Sequence, residues 1–288
     1  MRGTTEHLPV AAVVLPVHAD PGIAHTLRSL RRLDWPADRL HVLVALDGPD
    51  PETERVARQH GAHVVVLPTN QGSYAARNAA VDALPDDVEI VAFTDADCEV
   101  MPRLLHEHAA ALRVADLSGG AVEVTLRRRA SPAEWVDSRR HLRQKQYVEV
   151  DGYAATANLA VRRSVLGQVR FTSGLRSGGD ADFCLRARAA GLSLVYTEGA
   201  RVLHPARTTD AEVMKKVRRI CTGIEANPAR WKDRVIRKPS LRASLRVVRQ
   251  AHRAKTSRGP LWDLRAFLLD QRASRAVFRS AARAKSRT

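Results

Sequence analysis

The sequence predicts an α/β fold, a mostly parallel sheet flanked by helices, with a helical basic C-terminal extension. Three observations carry this. Apolar runs of strand formers alternate with short segments of helical periodicity up to residue 94. Acidic and amide residues recur just after those runs. The excess of Lys and Arg is confined to the residues after Ala206, where 23 basic residues face 6 acidic ones, against 24 and 25 in the rest of the chain.

PVAAVVLPV (9–17) has the character of a buried strand, and the GIAHTLRSLRRL that follows places Ile23, Leu27 and Leu30 at helical spacing. The pattern repeats with a strand at LHVLVAL (40–46), a helix from Pro51 to His60, a strand at AHVVVL (62–67), a helix from Tyr74 to Leu84 and a strand at VEIVAFT (88–94). Strands that are apolar throughout belong to a parallel sheet covered on both faces. A helix is expected from near Met101, a strand at GGAVEVTL (119–126), a polar helix from Pro132 to Tyr147, and a strand or loop at ATANLAVRR (155–163). GGDADFCLRARAAG (178–191) carries a helix start: glycine, then an acid as N-cap or first-turn residue, an apolar face of Phe183, Leu185 and Ala189, and a stop at Gly191. LSLVYT and ARVLH are expected as two more short strands. From Asp210 onward the chain is helical, with breaks at Pro228, Pro239 and Gly259-Pro260. No internal repeat is present. The expected organisation is a sheet domain over residues 1–225 and a helical extension over 226–288.

A chain of 288 residues with 44% hydrophobic content can bury a sizeable core. No apolar run approaches the roughly 20 residues that cross a bilayer, and MRGTTEHLPV lacks a signal-peptide core, so a cytoplasmic protein is expected. Cys98, Cys184 and Cys221 are widely spaced and form no CxxC, which argues for small buried hydrophobes and against a zinc site or disulfide framework. The net charge of +16 does not make this a nucleic-acid binder, because it belongs to one end, aromatics are only 5%, and no nucleic-acid motif appears.

Ligands of such sheets bind beyond the carboxyl ends of the strands. Asp20, Asp47, Asn70, Asp95 and Asp97 all fall at that edge. In VAFTDADCEV, Asp95 and Asp97 stand one residue apart. On extended backbone they would face one spot, where two anions repel unless a cation joins them. The bland alternative is that both cap the following turn.

Five segments in order resemble the family 2 glycosyltransferases, which have the Rossmann-like GT-A fold. They are VVLPVHADPGIAHTLRSL, VLVALDGPDPET, NQGSYAARNAAV, TDADCEV and GGDADFCLRARAAG. The resemblance covers roughly residues 9–225. It implies a metal-dependent, inverting transferase whose nucleotide-sugar site draws on Pro16, Asp20, Asp47, Asn70, Gly72, Arg77, Asp95, Ala96 and Asp97. Asp97 would ligate Mg²⁺ or Mn²⁺, Asp95 would support the ribose or a metal-bound water, and His204 stands where some members place a third ligand. Asp47 would accept the N–H of the base, with Asp20 near base or ribose and Arg77 reaching base or phosphate. Turn formation by Asp47-Gly48 and a surface role for Arg77 are the competing readings.

On the acceptor side the resemblance implies Asp180 as general base, with Asp182 as the second candidate and both acids as plain helix caps as the third reading. Gly179 departs from the family, which has Glu there. Asn158, in a segment similar to the family's acceptor-lining stretch, is a candidate for binding a sugar or for satisfying loop backbone. Asn227-Pro-Ala-Arg230-Trp231 is only superficially similar to the Gln-x-x-Arg-Trp of processive synthases, and Trp231 is expected to pack a helix.

In the basic tail, Leu241, Leu245 and Val248, and Leu261, Leu264 and Leu268, recur at helical spacing with Arg on other faces. Such helices suit an anionic membrane surface, with Trp262, Phe267 and Phe278 as candidate anchors, or else pack on the catalytic domain. The expected partners are a nucleotide-sugar donor, a hydroxyl-bearing acceptor of glycan or lipid-linked type, and such a surface at the inner face of the membrane; no nucleic acid is expected. Competing functions are a sugar nucleotidyltransferase, which PVHADPGIAH disfavours by lacking a Gly-rich basic loop, and a scaffold acting through the tail.

Overall fold

The computed structural model describes residues 8–226 and 238–286. The chain forms two compact units, one of residues 1–123, 144–174 and 179–204, the other of residues 124–143, 175–178 and 205–288.

The first unit is built on an eight-stranded sheet. Its strands are β1 (Ala11–Val17), β2 (Leu40–Leu46), β3 (His63–Val66), β4 (Ile90–Thr94), β5 (Glu99–Val100), β6 (Leu117–Thr125), β7 (Asn158–Arg162) and β8 (Leu194–Pro205), in the spatial order β3-β2-β1-β4-β7-β6-β8-β5. The first four strands pair in parallel. All seven residues of β1 are buried, as a strand covered on both faces requires. Pro16 lies in the stretch of β1 that still pairs with β2 but has passed the last β4 partner, Val14, so its missing N–H leaves the β4 ladder intact. The connecting helices are α1 (Ala24–Leu30), α2 (Pro51–Gln59), α3 (Ser73–Asp82) and α4 (Leu104–Ala111).

Beyond β4 the sheet changes character. β7 runs antiparallel to β4 and to β6, and β5 antiparallel to β8, so the sheet is mixed. The segment expected as two short strands is the single strand β8, which passes straight through Gly199. The carboxylate of Glu107 on α4 lies over this glycine. The helix expected from Pro132 to Tyr147 is two helices, α5 (Pro132–Arg140) and α6 (Gln144–Glu149), because Leu142 takes φ 56° between them. Two helices follow in this unit, α7 (Arg163–Gln168) and α8 (Gly179–Ala189).

The second unit packs α5 with α9 (Asp210–Ala226), α10 (Leu241–Arg253) and α11 (Pro260–Lys285). α5 opens on a reciprocal capping box between Ser131 and Glu134. Trp135, Val213, Val217, Ala251, Trp262, Ala266, Leu269 and Ala273 form its core. Trp262 is therefore not a membrane anchor. Its indole is buried and donates from Nε1 to the Ala130 carbonyl at 3.2 Å, while Phe267 and Phe278 are half-buried. The leucines at the same spacing point the other way: Leu241, Leu245, Leu261, Leu264 and Leu268 are all exposed. Among the described residues no helix is long and apolar enough to cross a membrane. Pro228 and the Asn227–Trp231 segment lie outside the described residues.

Candidate active site

The site is assembled where β1, β2 and β4 end. Hydrogen bonding continues one step past β2, with the Asp47 N–H donating to the Val17 carbonyl at 2.8 Å. This delivers Asp47 to the edge with its side chain turned inward. Its carboxylate accepts from the Gln71 N–H at 2.6 Å and from the Gly72 N–H at 3.0 and 2.9 Å, and it is only 5% exposed. A buried anion satisfied by two backbone donors is a fixed strut, so Asp47 sets the path of the exposed Asn70 and of Gly72, which opens α3. Asp20 closes its own turn, its Oδ1 accepting from the Gly22 N–H at 2.8 Å.

β4 stops at Thr94, and the chain turns at once. The Cys98 N–H donates to the Asp95 carbonyl at 3.2 Å, and the Ala96 carbonyl is held by the Thr26 hydroxyl at 2.6 Å. The two carboxylates consequently sit on a turn and not on extended backbone, and they meet different partners. Asp95 Oδ1 accepts from the Arg77 guanidinium at 2.8 Å, while Asp97 Oδ1 lies 3.6 Å from His204 Nε2. Arg77 is 3% exposed and its Nε finds no hydrogen-bond acceptor.

Asp97, Cys98 and His204 place their ligand atoms within 4.8 Å of one another. The donor chemistry selects two of the three. Burial, followed by the neighbouring charges of Asp95 and Asp97, pushes the Cys98 thiol well above its usual range, so it stays protonated and belongs to the core. Asp97 and His204 offer a carboxylate oxygen and an imidazole nitrogen, a mixed set that suits Mn²⁺ better than the harder Mg²⁺, which prefers oxygen ligands.

The other candidate acids open α8. Asp180 is half-buried in the first turn, where the helix dipole favours a carboxylate. Its Oδ1 accepts the Tyr74 hydroxyl at 2.6 Å, and the Thr156 N–H approaches Oδ2 at 3.4 Å. Asp182 Oδ2 instead accepts from the Thr172 hydroxyl at 2.7 Å and from Arg186 Nε and Nη2 at 3.0 and 2.8 Å. Gly179 lies against the Tyr74 ring.

Asn158 is placed differently from these acids. It is buried at the start of β7, donates to the carbonyls of Ala121 and Ala200 at 2.9 Å each, and bonds His108 Nε2 at 2.8 Å through Oδ1. Its side chain is satisfied by two carbonyls of strands β6 and β8 and by His108 on α4. Burial pushes the His108 imidazole down to about 4, which keeps this network neutral.

α3 links the two groups of acids. Tyr74, Arg77 and Asn78 stand at i, i+3 and i+4, on one face. They reach Asp180, Asp95 and the backbone of Phe171 respectively, the last by a paired N–H and C=O contact at 3.1 and 2.8 Å. Tyr74 was absent from the sequence candidates. The signal that could have found it is this spacing within SYAARN, which aims an aromatic hydroxyl and the Arg-Asn pair the same way.

The model of the Glycosyl transferase family 2 matches residues 12–170. The chain is 32% identical over 228 residues to "Glycosyltransferase AglE" of Haloferax volcanii, covering 76% of this chain and 74% of that protein. Among solved structures it is similar to the mannosyltransferase PcManGT of Pyrobaculum calidifontis in complex with GDP-Man and Mn²⁺ (TM-score 0.56, 17% identity, 97% of this chain and 74% of that one). It is also similar to S. aureus TarS 1–349 in complex with UDP-GlcNAc (TM-score 0.55, 17% identity, 95% and 91%). The chain spans 39% of the longer TarS chain. At such identities these likenesses speak for the fold, which is the GT-A arrangement expected. The match over residues 12–170 and the relative at 32% identity settle the rest: the chain belongs to glycosyl transferase family 2, and it is an enzyme that moves a sugar from a nucleotide-sugar donor to an acceptor.

Proposed function

We propose that this enzyme transfers a sugar from a UDP-sugar in preference to other donors, with a divalent cation and with inversion, onto a hydroxyl of a glycan or lipid-linked acceptor in cell-envelope or related glycan synthesis. The observation that carries the reading is the pairing of Asp97 with His204 at 3.6 Å, next to the Asp95–Arg77 pair at the strand ends. Asp97 and His204 would hold Mg²⁺ or Mn²⁺, and the ion, when bound, neutralises charge on the departing diphosphate. Asp47 keeps the Gln71–Gly72 backbone in place under the base, and Asp20, Pro16, Asn70 and Ala96 shape the same pocket edge.

Asp180 takes the acceptor proton. The acceptor oxygen forms its bond to the anomeric carbon as the bond to the diphosphate oxygen breaks, and the electron pair leaves with the nucleoside diphosphate. One displacement inverts the carbon and calls for no protein nucleophile. Asp180 is preferred to Asp182 because Asp182 is engaged by Thr172 and Arg186, and Gly179 borders the acceptor side.

The test is nucleotide binding. Calorimetric or thermal-shift titration with UDP, GDP and dTDP, with and without Mn²⁺, is expected to show metal-dependent stabilisation by UDP that Asp97→Ala abolishes. Binding that is indifferent to metal and to Asp97 would end the cation reading.

The tail supports a location. Leu261, Leu264 and Leu268 on α11 and Leu241 and Leu245 on α10 are exposed beside exposed Arg242, Arg246, Arg265 and Arg272. We propose that these helices dock the enzyme on an anionic lipid surface at the cytoplasmic face of a membrane, with residues 1–225 as the catalytic part and 226–288 as the extension.

A further inference from the structure

The first turn of α8 begins with a residue that has no side chain, and the reason is visible. A Cβ on Gly179 would lie 2.6 to 2.7 Å from three ring carbons of Tyr74. The ring occupies that space because it is stacked: Tyr74 lies 5.9 Å from Phe171 at 21°, and Phe171 lies 4.4 Å from Phe183 at 24°. Phe183 is on α8, three residues after Asp180, so the stack and the carboxylate share one helix face. Asn78 fixes Phe171 from α3, the helix that carries Tyr74. The phenol, held from three sides, donates to Asp180 Oδ1 at 2.6 Å.

We propose that Tyr74 is a positioning residue for Asp180, a neutral hydrogen-bond donor that orients the general base and commits one of its oxygens, and that Gly179 is glycine to admit the ring. The inference rests on the reading of Asp180 as the base. Tyr74 holds its proton throughout the working range, because burial and then the Asp180 charge push its ionisation upward. A donor that keeps its proton stabilises one rotamer of the carboxylate and leaves Oδ2, which the Thr156 N–H approaches at 3.4 Å, to meet the acceptor through its remaining lone pair. The aromatic stack supplies rigidity that a flexible donor would lack.

A purely structural Tyr74 and a positioning Tyr74 make different predictions for a variant that keeps the ring. Tyr74→Phe retains the stack and deletes one charge-assisted hydrogen bond. The full chain is assayed for release of nucleoside diphosphate from UDP-GlcNAc and from GDP-mannose, with water and simple glycosides as acceptors. The expected result is a fall in kcat of about ten- to a hundredfold with the Kd for the nucleotide unchanged. Gly179→Ala, which pushes the ring aside by its methyl group, is expected to lower kcat in the same way. The double variant is expected to be no worse than the poorer single one, because both break one contact.

Tyr74→Phe turning over like the wild type while Asp180→Asn is inactive would overturn the inference and leave the base in place. Asp180→Asn turning over like the wild type would overturn the base reading itself. A readout independent of turnover is the thermal-stability cycle of Tyr74→Phe with Asp180→Asn. Non-additive losses are expected, and strict additivity would mean that the hydrogen bond does not exist in solution.

Discussion

The guanidinium of Arg77, almost wholly buried, meets the Asp95 carboxylate at 2.8 Å while its own Nε is left without an acceptor. A buried donor with no partner costs about 1–3 kcal/mol, and Asp95 is exposed enough for solvent to screen much of what the pair returns. The stability return on this side chain is therefore small, which points to its use in holding Asp95. Arg77→Met keeps the bulk of the stem and removes the charge. It is expected to leave thermal stability within about 1 kcal/mol of the wild type, since the carboxylate left behind, Asp95, is 36% exposed and stays solvated. Nucleotide affinity, measured by calorimetry, should fall by about tenfold as Asp95 loses its orientation.

Asp47 makes the opposite case. Its carboxylate satisfies the backbone of Gln71 and Gly72 in a buried setting, so removal strands two N–H groups. Asp47→Ala is expected to cost about 2–4 kcal/mol in urea unfolding and to abolish nucleotide binding with it. Asp47→Asn retains one acceptor oxygen and should recover part of the stability. A variant as stable as the wild type that nevertheless fails to bind would show that Asp47 acts on the nucleotide alone.

The cation reading predicts unequal losses. His204→Ala removes a buried imidazole 3.6 Å from Asp97 and should weaken Mn²⁺ affinity about tenfold or more, with the protein still folded. Cys98→Ser should leave the affinity unchanged, because the thiol is protonated. Isothermal titration with Mn²⁺ in the presence of UDP reads both variants.

The acid side of the stability profile follows from α5. Burial opposes ionisation of Asp137, but the His141 ring at 2.6 Å and Arg207, through its N–H at 3.1 Å and its guanidinium at 3.2 Å, hold the carboxyl at about 2. A carboxyl lowered on folding stabilises above its unfolded value near 3.9, and that contribution is lost as pH falls towards 2. It is on the order of 2 kcal/mol. Burial also lowers the His141 imidazole, outweighing its bond to Asp137. Its contribution is full above the unfolded value of about 6.5 and declines as the pH falls below it. Stability measured by urea unfolding should therefore decline in two stages from near neutrality. His141→Gln should flatten the upper stage and Asp137→Asn the lower one.

What was legible beforehand follows from burial. β1, β2 and β4 could be seen because parallel strands covered on both faces are apolar at nearly every position. The acids at their ends were equally visible, because ligands of such a sheet bind beyond the carboxyl ends of its strands. The partners of those acids were not visible. Asp95 and Asp97 diverge because the chain turns at Ala96, and the turn depends on Thr26 and Arg77, each contributed by a different helix. Tyr74 was hidden for a related reason: an aromatic in the first turn of a helix looks like core, and only the packing of α8 turns its hydroxyl to use. The antiparallel half of the sheet escaped because strand direction leaves no mark in the local apolar pattern, and β8 read as two strands because Gly199 resembles a break.

α11 carries two apolar stripes, and this decides how its leucines are to be tested. Trp262, Ala266, Leu269 and Ala273 are consumed by the core of their own unit, so the helix stays folded without help from the other side. Leu261, Leu264 and Leu268 are 80%, 52% and 54% exposed, at i, i+3 and i+7. Replacing them should therefore cost little stability, unlike replacement of Trp262. Each leucine that enters a bilayer interface contributes on the order of 1 kcal/mol or more, and each arginine near an anionic surface about 1 kcal/mol. The triple variant Leu261→Ser, Leu264→Ser, Leu268→Ser is expected to unfold at the temperature of the wild type and to lose co-sedimentation with phosphatidylglycerol vesicles. Neutral phosphatidylcholine vesicles should bind the wild type weakly, and 0.5 M salt should reduce its binding to the anionic ones, since the arginines act through a screened field. Equal binding of the variant and the wild type would assign the stripe to a protein partner or to none, and would separate the position of the enzyme from the chemistry of its acceptor.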